Sequence, residues 1–326
     1  MTSVLARMLD TTLDRTVLPG YTRIGPRLRS HWWPADPTPD CLAGKHVIVT
    51  GASSGLGKAA AEGLARLGGT VHMVGRTEDR LRTAADEIAA VVPDADLVIE
   101  TCDVSDLDAV RAYATKVATE LDSLHAIVQN AGVMPPERST SAQGHELALA
   151  THVLGPLLLT ELLREPLRAA RGEGRVVWVT SGGMYTQPFT HELANDLEYT
   201  EADYDATTAY ARTKRMQVIV AEQLSYRLAA DRITVHSMHP GWADTPGVTD
   251  SLPRFSAVLG GLLRTPAEGA DTIVWLTASP EAIRTTGQFW CDRRPRPTAY
   301  FPWQRESADD RAILWDFCKT ATDIAN

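Results

Sequence analysis

A glycine-rich turn between a short apolar segment and an alanine-rich segment constrains the fold of this chain more than any other feature. Residues 46–49 have the mostly apolar composition of a buried strand, and residues 58–67 that of a helix. Glycines let the backbone approach a pyrophosphate, and the free N–H groups at the start of the following helix attract its charge. The flanking strand and helix make this a specific dinucleotide-binding signal, although a turn without a ligand is the alternative. The residues predicted to hold the pyrophosphate are Gly51, Ser53, Ser54, Gly55, Leu56 and Gly57.

Strand and helix patterns alternate along residues 45–239. Such alternation predicts right-handed crossovers and a parallel sheet covered on both faces. The fold class is therefore α/β, a single Rossmann-type doubly wound parallel sheet flanked by helices, with an N-terminal helical extension and a C-terminal tail. The third helix should begin at Ser105, with Asp108 as its capping partner. The predicted strands are 46–49, 70–74, 97–101, 125–129, 175–180 and 233–239, and the predicted helices are 58–67, 78–91, one from 105, 143–170 with a break at Pro156, and 208–228.

Three regions are expected: an extension over 1–43, a Rossmann domain over 44–295 that includes a lid segment over 242–266, and a tail over 296–326. The tail should be helical from Ser307. The extension combines an amphipathic helix with a linker rich in proline and tryptophan. Its apolar stripe either packs across the domain or a partner subunit, or makes peripheral contact with a membrane through residues 1–20. The stripe consists of Val4, Leu5, Met8, Leu9, Leu13 and Val17, and the polar residues Arg7, Asp10, Asp14 and Arg15 carry both charge signs, which weakens the membrane alternative.

Composition and charge narrow the class of protein further. A net charge of −9 argues against a nucleic-acid partner, which usually needs a basic stripe. No apolar run approaches the ~18 residues that span a bilayer, and the start of the chain lacks a secretory pattern. No metal-ligand spacing occurs, so we predict no metal. A reduced, cytoplasmic setting is expected because the four cysteines are scattered; these are Cys41, Cys102, Cys291 and Cys318.

The ends of the predicted strands indicate the cofactor. An NAD site usually has a carboxylate at the end of the second strand, whereas this strand ends at Arg76. Arginine pairs with phosphate, so the prediction is NADP(H), with help from Thr77; the alternative is a solvated surface charge. Asp103, followed by Val104, could accept a hydrogen bond from the adenine amino group. The loop predicted to lie against the ribose is formed by Asn130, Ala131 and Gly132.

Tyr210 and Lys214 stand four residues apart in a predicted helix and therefore share a face. A lysine ammonium can lower the tyrosine pKa from its ordinary value of about 10. A tyrosine tuned in this way can exchange a proton with a carbonyl or alcohol oxygen. Ser181 ends a strand upstream of this pair. The pair alone is a weak signal, but its position after the glycine-rich turn and Ser181 makes it a candidate acid/base centre.

The order and spacing of these motifs resemble the short-chain dehydrogenase/reductase superfamily over roughly residues 44–292. The resemblance implies that Tyr210 is the general acid/base and that Ser181 orients the substrate oxygen. It also implies that Lys214 lowers the pKa of Tyr210 and holds the nicotinamide ribose. Pro240 and Gly241 would shape the nicotinamide pocket, Thr245 would bind the carboxamide, and a homodimer or homotetramer would form through long helices.

A narrower likeness lies in segments 181–184 and 237–247, which look like the branch of dehydrogenase/reductase member twelve, near retinol-dehydrogenase-like enzymes and some polyketide ketoreductases. One departure is His152, which stands where the family usually has an asparagine that holds a water linked to the lysine. Because histidine can also hold a water and can titrate near neutral pH, we predict an altered proton relay; a weakened, slow enzyme is the alternative. Gln129 stands where a second asparagine often precedes Asn130.

The segments around the predicted site suggest the substrate. Twenty-eight residues separate Ser181 from Tyr210, and apolar residues follow Gly241. Apolar covers exclude water and favour apolar substrates. The expected activity is NADP(H)-dependent reduction of a bulky lipophilic ketone or aldehyde, and the alternative is a weak or silent NADP-binding regulator. The same residues could equally pack between helices; they are Tyr185, Phe189, Tyr199, Tyr204, Trp242, Leu252, Phe255, Val258, Leu259, Leu262 and Leu263.

Overall fold

A computed structural model describes residues 4–201, 203–245 and 259–324. Its centre is an eight-stranded sheet in the order β3-β2-β1-β4-β5-β6-β7-β8, parallel from β3 through β7, with β8 antiparallel at one edge. The strands are β1 His46–Thr50, β2 Thr70–Gly75, β3 Asp96–Thr101, β4 Ala126–Gln129, β5 Arg175–Val179, β6 Thr234–Met238, β7 Phe289–Cys291 and β8 Arg294–Arg296.

Helices cover both faces of this sheet, which confirms the predicted fold class. Two buried apolar clusters lie on opposite sides: one packs against α6, α8 and α11 and the other against α4, α5 and α12. The helices of the described residues are α1 Val4–Arg15, α2 Leu18–Tyr21, α3 Ile24–Arg29, α4 Gly55–Ala65, α5 Glu78–Ala89, α6 Leu107–Glu120, α7 Leu147–Leu149, α8 Gly155–Leu162, α9 Arg164–Ala169, α10 His191–Asn195, α11 Ala206–Arg227, α12 Pro266–Ala278 and α13 Ala308–Thr322.

The strand order reverses at β1, which lies between β2 and β4. At such a switch point the loops that follow the two strands separate and leave a crevice at the carboxyl ends of the sheet. The turn after β1 and the loop after β4 therefore face one another. Right-handed crossovers between the strands produce this arrangement. It brings the two loops together at the carboxyl edge of the sheet, where the candidate site lies.

Three local predictions differ from the structure. The cap of α6 is Asp106, which lies one residue before the helix and accepts hydrogen bonds from the Asp108 and Ala109 amides through its carboxylate. The hydroxyl of Ser105 instead donates to the Asp103 carboxylate. The long helix 143–170 is interrupted by a π-helical turn over 150–154 and again at Leu163. The pair β7–β8 was not predicted from the sequence because each strand has three residues. The predicted domain boundary at 295 falls inside β8.

The tail begins its helix at Ser307, which caps α13 as predicted. Leu314, Trp315 and Cys318 of this helix belong to the larger apolar cluster, so the tail covers the body of the domain.

The extension is helical as predicted, but the face of α1 that is buried is not the predicted apolar stripe. Asp10 and Asp14 are buried together with Ala6 and Leu13. Most of the apolar stripe is exposed instead, so the expectation that it packs against the domain is wrong for all its members except Leu13. The exposed members are Val4, Leu5, Met8, Leu9 and Val17. The reason is electrostatic, because both carboxylates meet arginines from distant parts of the chain.

Within the described ranges, no helix combines the length and apolar character that crossing a bilayer requires. The same ranges contain no cluster of histidine, cysteine and carboxylate side chains that could hold a metal ion.

Candidate active site

A cavity of about 600 Å³ lies at the carboxyl ends of the parallel strands. Its walls come from the turn after β1, the ends of β2 and β3, the loop after β4, the segment after β5, the first turns of α11 and the segment after β6. It brings together all the residues that the sequence assigns to cofactor or catalysis, except His152. The assigned residues that line it are Gly51, Ser53, Ser54, Gly55, Leu56, Gly57, Arg76, Asp103, Val104, Asn130, Ala131, Gly132, Ser181, Tyr210, Lys214, Pro240, Gly241 and Thr245.

Two glycines of the turn are required by its geometry. Gly51 adopts a φ of 67°, a left-handed conformation that favours glycine. A Cβ on Gly57 would lie 2.2 Å from the Gly51 carbonyl oxygen, so any side chain there would force the turn away from α4. The Asn130 side chain donates to the carbonyl oxygens of Thr50 at 2.9 Å and Gly51 at 3.3 Å. Asn130 therefore joins the loop after β4 to the glycine turn after β1.

The end of the cavity that follows β2 is basic. Arg76 and Thr77 both line it, and so does Arg80 on the first turn of α5, which sequence reasoning missed. The signal available in the sequence was that Arg80 follows Arg76 closely along the chain. Asp103 uses one carboxylate oxygen to accept from the amide and hydroxyl of Ser105, at 2.9 and 2.7 Å. Guanidinium groups such as those of Arg76 and Arg80 pair with phosphate through planar, bidentate hydrogen bonds.

The catalytic candidates meet at the other end. Ser181 follows β5 and accepts the Gly183 amide hydrogen bond at 3.1 Å. Asp205 caps α11 through the Thr208 amide, and the first turns of α11 carry Tyr210 and Lys214 into the cavity. Lys214 Nζ lies 5.3 Å from the centroid of the Tyr210 ring and donates to the Val179 carbonyl oxygen at 3.0 Å.

The shift in the pKa of Tyr210 is opposite in direction to the shift predicted from the sequence. Burial raises it to about 12, although a hydrogen bond with Ser181 lowers it. Burial also lowers the pKa of Lys214 to about 7. The expectation that Lys214 would bring the pKa of Tyr210 below its ordinary value is therefore wrong for this structure, because loss of hydration penalises both charged forms. At neutral pH, Tyr210 is a protonated acid beside a lysine that is close to its own titration point.

His152 lies behind the cavity wall and is fully buried. Its Nε2 accepts from the Val133 amide at 3.0 Å, which places the ring proton on Nδ1, 2.8 Å from Thr213 Oγ1. Burial, followed by the charge of Lys214, holds the pKa of His152 well below its usual range. The ring also packs edge-on against Tyr210, with centroids 5.4 Å apart. Because both ring nitrogens are engaged and the ring is buried, His152 does not titrate near neutral pH, although the sequence had allowed it. The altered proton relay stays a prediction.

Gln129, the second departure, is also buried. Its amide nitrogen donates to the Pro156 carbonyl oxygen at 3.1 Å and to Thr160 Oγ1 at 3.3 Å. The side chain therefore links β4 to α8 on the side away from the cavity.

The floor of the cavity at Pro240 and Gly241 is held from below by a buried arginine. Arg264 donates to the Pro240 carbonyl oxygen at 3.0 Å, and a Cβ on Gly241 would meet its Nε at 2.3 Å. Arg264 also pairs with Asp292 at 2.6 Å. Burial alone would raise the pKa of Asp292, but Arg264 and Arg29 together lower it to about 2.

The N-terminal extension takes part in this support. Arg29 pairs with Asp292 at 2.5 Å and with Asp10 at 2.9 Å, and all three side chains are buried. Arg264 donates to the carbonyl oxygen of Tyr21 at 2.9 Å, and the same oxygen accepts from the Trp242 amide at 2.8 Å. The sequence did not predict this network because its hydrogen-bonded partners lie up to 263 residues apart, and no local pattern links them.

The aromatic residues of the long insertion do not form the substrate wall. Phe189 and Tyr199 are buried, and the Tyr185 hydroxyl donates to the Pro297 carbonyl oxygen at 2.6 Å. These residues therefore pack within the domain, the alternative that the sequence left open. Leu252, Phe255 and Val258 lie outside the described residues. Other residues that line the cavity are Val133, Met134, Thr186, Thr207, Trp242 and Ala243.

Similarity to known proteins identifies the family. A family profile described as short chain dehydrogenase matches residues 45–193. Human dehydrogenase/reductase SDR family member 12 is 37% identical over 260 residues, covering 79% of this chain and 79% of that protein. The protein provisionally described as daunorubicin C-13 ketoreductase DnrU, from Streptomyces sp. (strain C5), is 35% identical over 261 residues, covering 79% and 86%.

A solved structure from Beutenbergia cavernae, provisionally described as an NAD(P)-dependent gluconate 5-dehydrogenase with NADP bound at low occupancy, matches with a TM-score of 0.62. It is 26% identical, and the match covers 77% of this chain and 96% of that one. The chain therefore belongs to the short-chain dehydrogenase/reductase family of oxidoreductases, which act on CH–OH and C=O groups. This confirms the resemblance drawn from the sequence motifs.

Proposed function

We propose that this protein is an NADP(H)-dependent reductase of a bulky, lipophilic ketone or aldehyde. The observation that carries the proposal is one cavity with a phosphate cradle at one end and Ser181, Tyr210 and Lys214 at the other. A bound nicotinamide cofactor would supply or accept the hydride. The glycine turn and the N-terminus of α4 would hold its pyrophosphate, and Pro240, Gly241 and Thr245 its nicotinamide.

The two hydroxyl groups divide the work on the substrate oxygen. Ser181 donates a hydrogen bond that orients the carbonyl, and Tyr210 transfers its phenolic proton to the oxygen as the carbonyl carbon gains hydride. The product is an alcohol, and the Tyr210 phenolate then recovers a proton from solvent. A pKa of about 12 keeps Tyr210 protonated and suits the acid role at neutral pH. A protonated Lys214 stabilises the phenolate formed in this step.

The preference for NADP(H) rests on the pair of arginines at the adenine end. Arg76 and Arg80 line the cavity where a 2′-phosphate would lie. The lining also includes the carboxylate of Asp103, which could in principle bind ribose hydroxyls instead. Its position after β3 and its bonds to Ser105 direct it towards the adenine side. The lipophilic substrate rests on the apolar side chains of Val133, Met134 and Trp242 at the nicotinamide end.

The test is turnover of a panel of lipophilic ketones and aldehydes with NADPH and NADH, using wild type and Arg76→Glu. Wild type should reduce at least one panel member with NADPH and prefer it to NADH by about 10-fold or more, since charge-assisted phosphate bonds contribute about 1.5–3 kcal/mol. Arg76→Glu should remove that preference. Tight NADH binding without NADPH binding would contradict the cofactor proposal. Cofactor binding without turnover of any panel member would support the silent regulator.

We further propose that neutral His152 positions the loop at Val133 and the Tyr210 ring, and carries no proton. His152→Asn should leave the pH profile of kcat unchanged, because the imidazole does not titrate near neutral pH. The shorter side chain should cost about 1–3 kcal/mol of stability by leaving the Val133 amide without its partner. Urea unfolding and kcat measured across neutral pH provide the two readouts. Loss of an acidic limb near pH 6–7 in the variant would show that the histidine titrates and would overturn this role.

A further inference from the structure

The N-terminal helices present an apolar surface to solvent. On α1, Val4, Leu5, Met8 and Leu9 project from one face, and Met8 is 65% exposed. The surface continues along the chain through α2, which packs against α1, and α3, which packs against α2. We define this extension surface as the exposed side chains of Val4, Leu5, Met8, Leu9, Val17, Leu18, Ile24 and Leu28. Exposed aliphatic groups at this density are unusual for a surface that meets only water.

The exposed charges on the same three helices are all positive. Asp10 and Asp14 are buried by ion pairs with Arg29, Arg294 and Arg296. The exposed ionised side chains of residues 4–29 are therefore arginines, in a chain whose net charge is −9. These are Arg7, Arg15 and Arg27, of which Arg27 also pairs with Glu268 at 3.8 Å. The sequence prediction placed both aspartates on the polar face of the helix. In the structure they are buried and add no negative charge to the exposed surface.

An exposed aromatic pair lies in the segment that contacts α1. Tyr300 donates its hydroxyl to Asp14 at 2.6 Å, and the guanidinium of Arg15 lies 4.8 Å from the centroid of the Tyr300 ring. The next residues include Phe301 and Trp303, whose rings stack 4.6 Å apart with Trp303 70% exposed. Tryptophan rings with one apolar and one polar edge are favoured at the boundary between lipid and water.

We propose that the extension surface, with Phe301 and Trp303 beside it, docks in the plane of an anionic lipid surface. The aliphatic side chains enter the boundary between head groups and acyl chains, and Arg7, Arg15 and Arg27 meet the negative head groups. The buried Asp10–Arg29–Asp292 network fixes this surface to the domain. Docking therefore holds the whole domain against the membrane without a spanning helix.

The charge pattern favours lipid over a second copy of the chain. In a two-fold symmetric contact the same patch meets itself, so the three arginines of one copy would face those of the other. Within the extension surface, among the described residues, no exposed carboxylate is available to pair with them. A bilayer that contains acidic phospholipids supplies both the negative charge and the apolar layer.

The test is co-sedimentation of the full chain with phosphatidylcholine vesicles, with or without about one-third phosphatidylserine. Wild type should bind the anionic vesicles at least 10-fold more strongly than the neutral ones. Met8→Glu/Leu9→Glu should lower that binding at least 10-fold, and Arg7→Gln about fivefold, because each basic residue near the surface contributes about 1 kcal/mol. The assay needs no turnover, so its outcome is independent of the proposed reaction.

The matched control is Val91→Glu/Tyr226→Glu, which places the same two charges at exposed apolar positions outside the extension. This variant should bind as wild type does, and circular dichroism should show both double variants folded. Equal affinity for neutral and anionic vesicles, or no binding to either, would overturn the proposal. So would binding that Met8→Glu/Leu9→Glu leaves intact, or a wild-type dimer in solution that this double variant converts to monomer.

Discussion

Replacing Tyr210 by phenylalanine is expected to lower kcat for carbonyl reduction by about 10²–10⁴-fold, the range that a positioned acid contributes. The substitution removes the phenolic proton and keeps the ring. The edge-on packing against His152 and the contact with Lys214 Nζ at 5.3 Å therefore persist. Because the glycine turn and the arginines are untouched, the affinity for NADPH should stay within about twofold, a change under about 0.5 kcal/mol. Steady-state kinetics on the best panel ketone and fluorescence titration with NADPH separate the two effects.

Tyr226→Phe is the matched control, because it removes the same hydroxyl at an exposed position of α11 away from the cavity. It should retain wild-type turnover. A Tyr210→Phe enzyme as active as wild type would show that the proton comes from elsewhere. Loss of NADPH binding together with turnover would instead assign Tyr210 to the cofactor site rather than to acid catalysis.

Short-range patterns in the sequence predicted much of the site. The glycine turn, the arginine after β2 and the Tyr210–Lys214 spacing each depend on residues close together in the chain. Parallel topology then brings the strand ends to one edge, so the cavity follows from the order of the elements. Arg80 was missed although it stands four residues after Arg76, because the strand end alone was used to identify the phosphate site.

Long-range contacts and burial account for the predictions that were wrong. Helical periodicity identified the amphipathic helix α1, but which face is buried depends on ion pairs of Asp10 with Arg29, 19 residues away, and with Arg296, 286 residues away. The pKa of Tyr210 depends on how much water the folded cavity excludes, which the i,i+4 spacing cannot express. The pKa of His152 is likewise lowered by burial and then by the charge of Lys214, neither of which can be read from the local sequence.

Asp292→Asn is expected to lower the free energy of unfolding by about 3–5 kcal/mol, the cost of breaking a buried ion pair from one side. Arg264 and Arg29 would both remain buried without their shared carboxylate. The backbone should not oppose the change, since Asp292 adopts a φ of 51° and asparagine tolerates that left-handed region. Urea unfolding at neutral pH measures the loss. Glu78→Gln, in the exposed pair with Arg82, is the control and should cost about 0.5 kcal/mol or less.

The pH dependence of the stability of Asp292→Asn distinguishes the loss of the carboxylate charge from a change in packing. Because the folded pKa of Asp292 is about 2, below its ordinary 3.8, its stabilisation is complete above the unfolded pKa and is lost as pH falls towards 2. The difference in stability between wild type and Asp292→Asn should therefore shrink in acid. A gap that stays constant down to pH 2 would contradict an electrostatic origin.

The same substitution should also weaken NADPH binding, although Asp292 is not a lining residue of the cavity. Without its carboxylate partner, Arg264 is no longer fixed beneath the Pro240 carbonyl oxygen and the Gly241 turn. We expect about a 10-fold rise in the NADPH dissociation constant, a loss of about 1.4 kcal/mol. Unchanged NADPH affinity in a folded Asp292→Asn protein would show that the network stabilises the domain without positioning the nicotinamide floor.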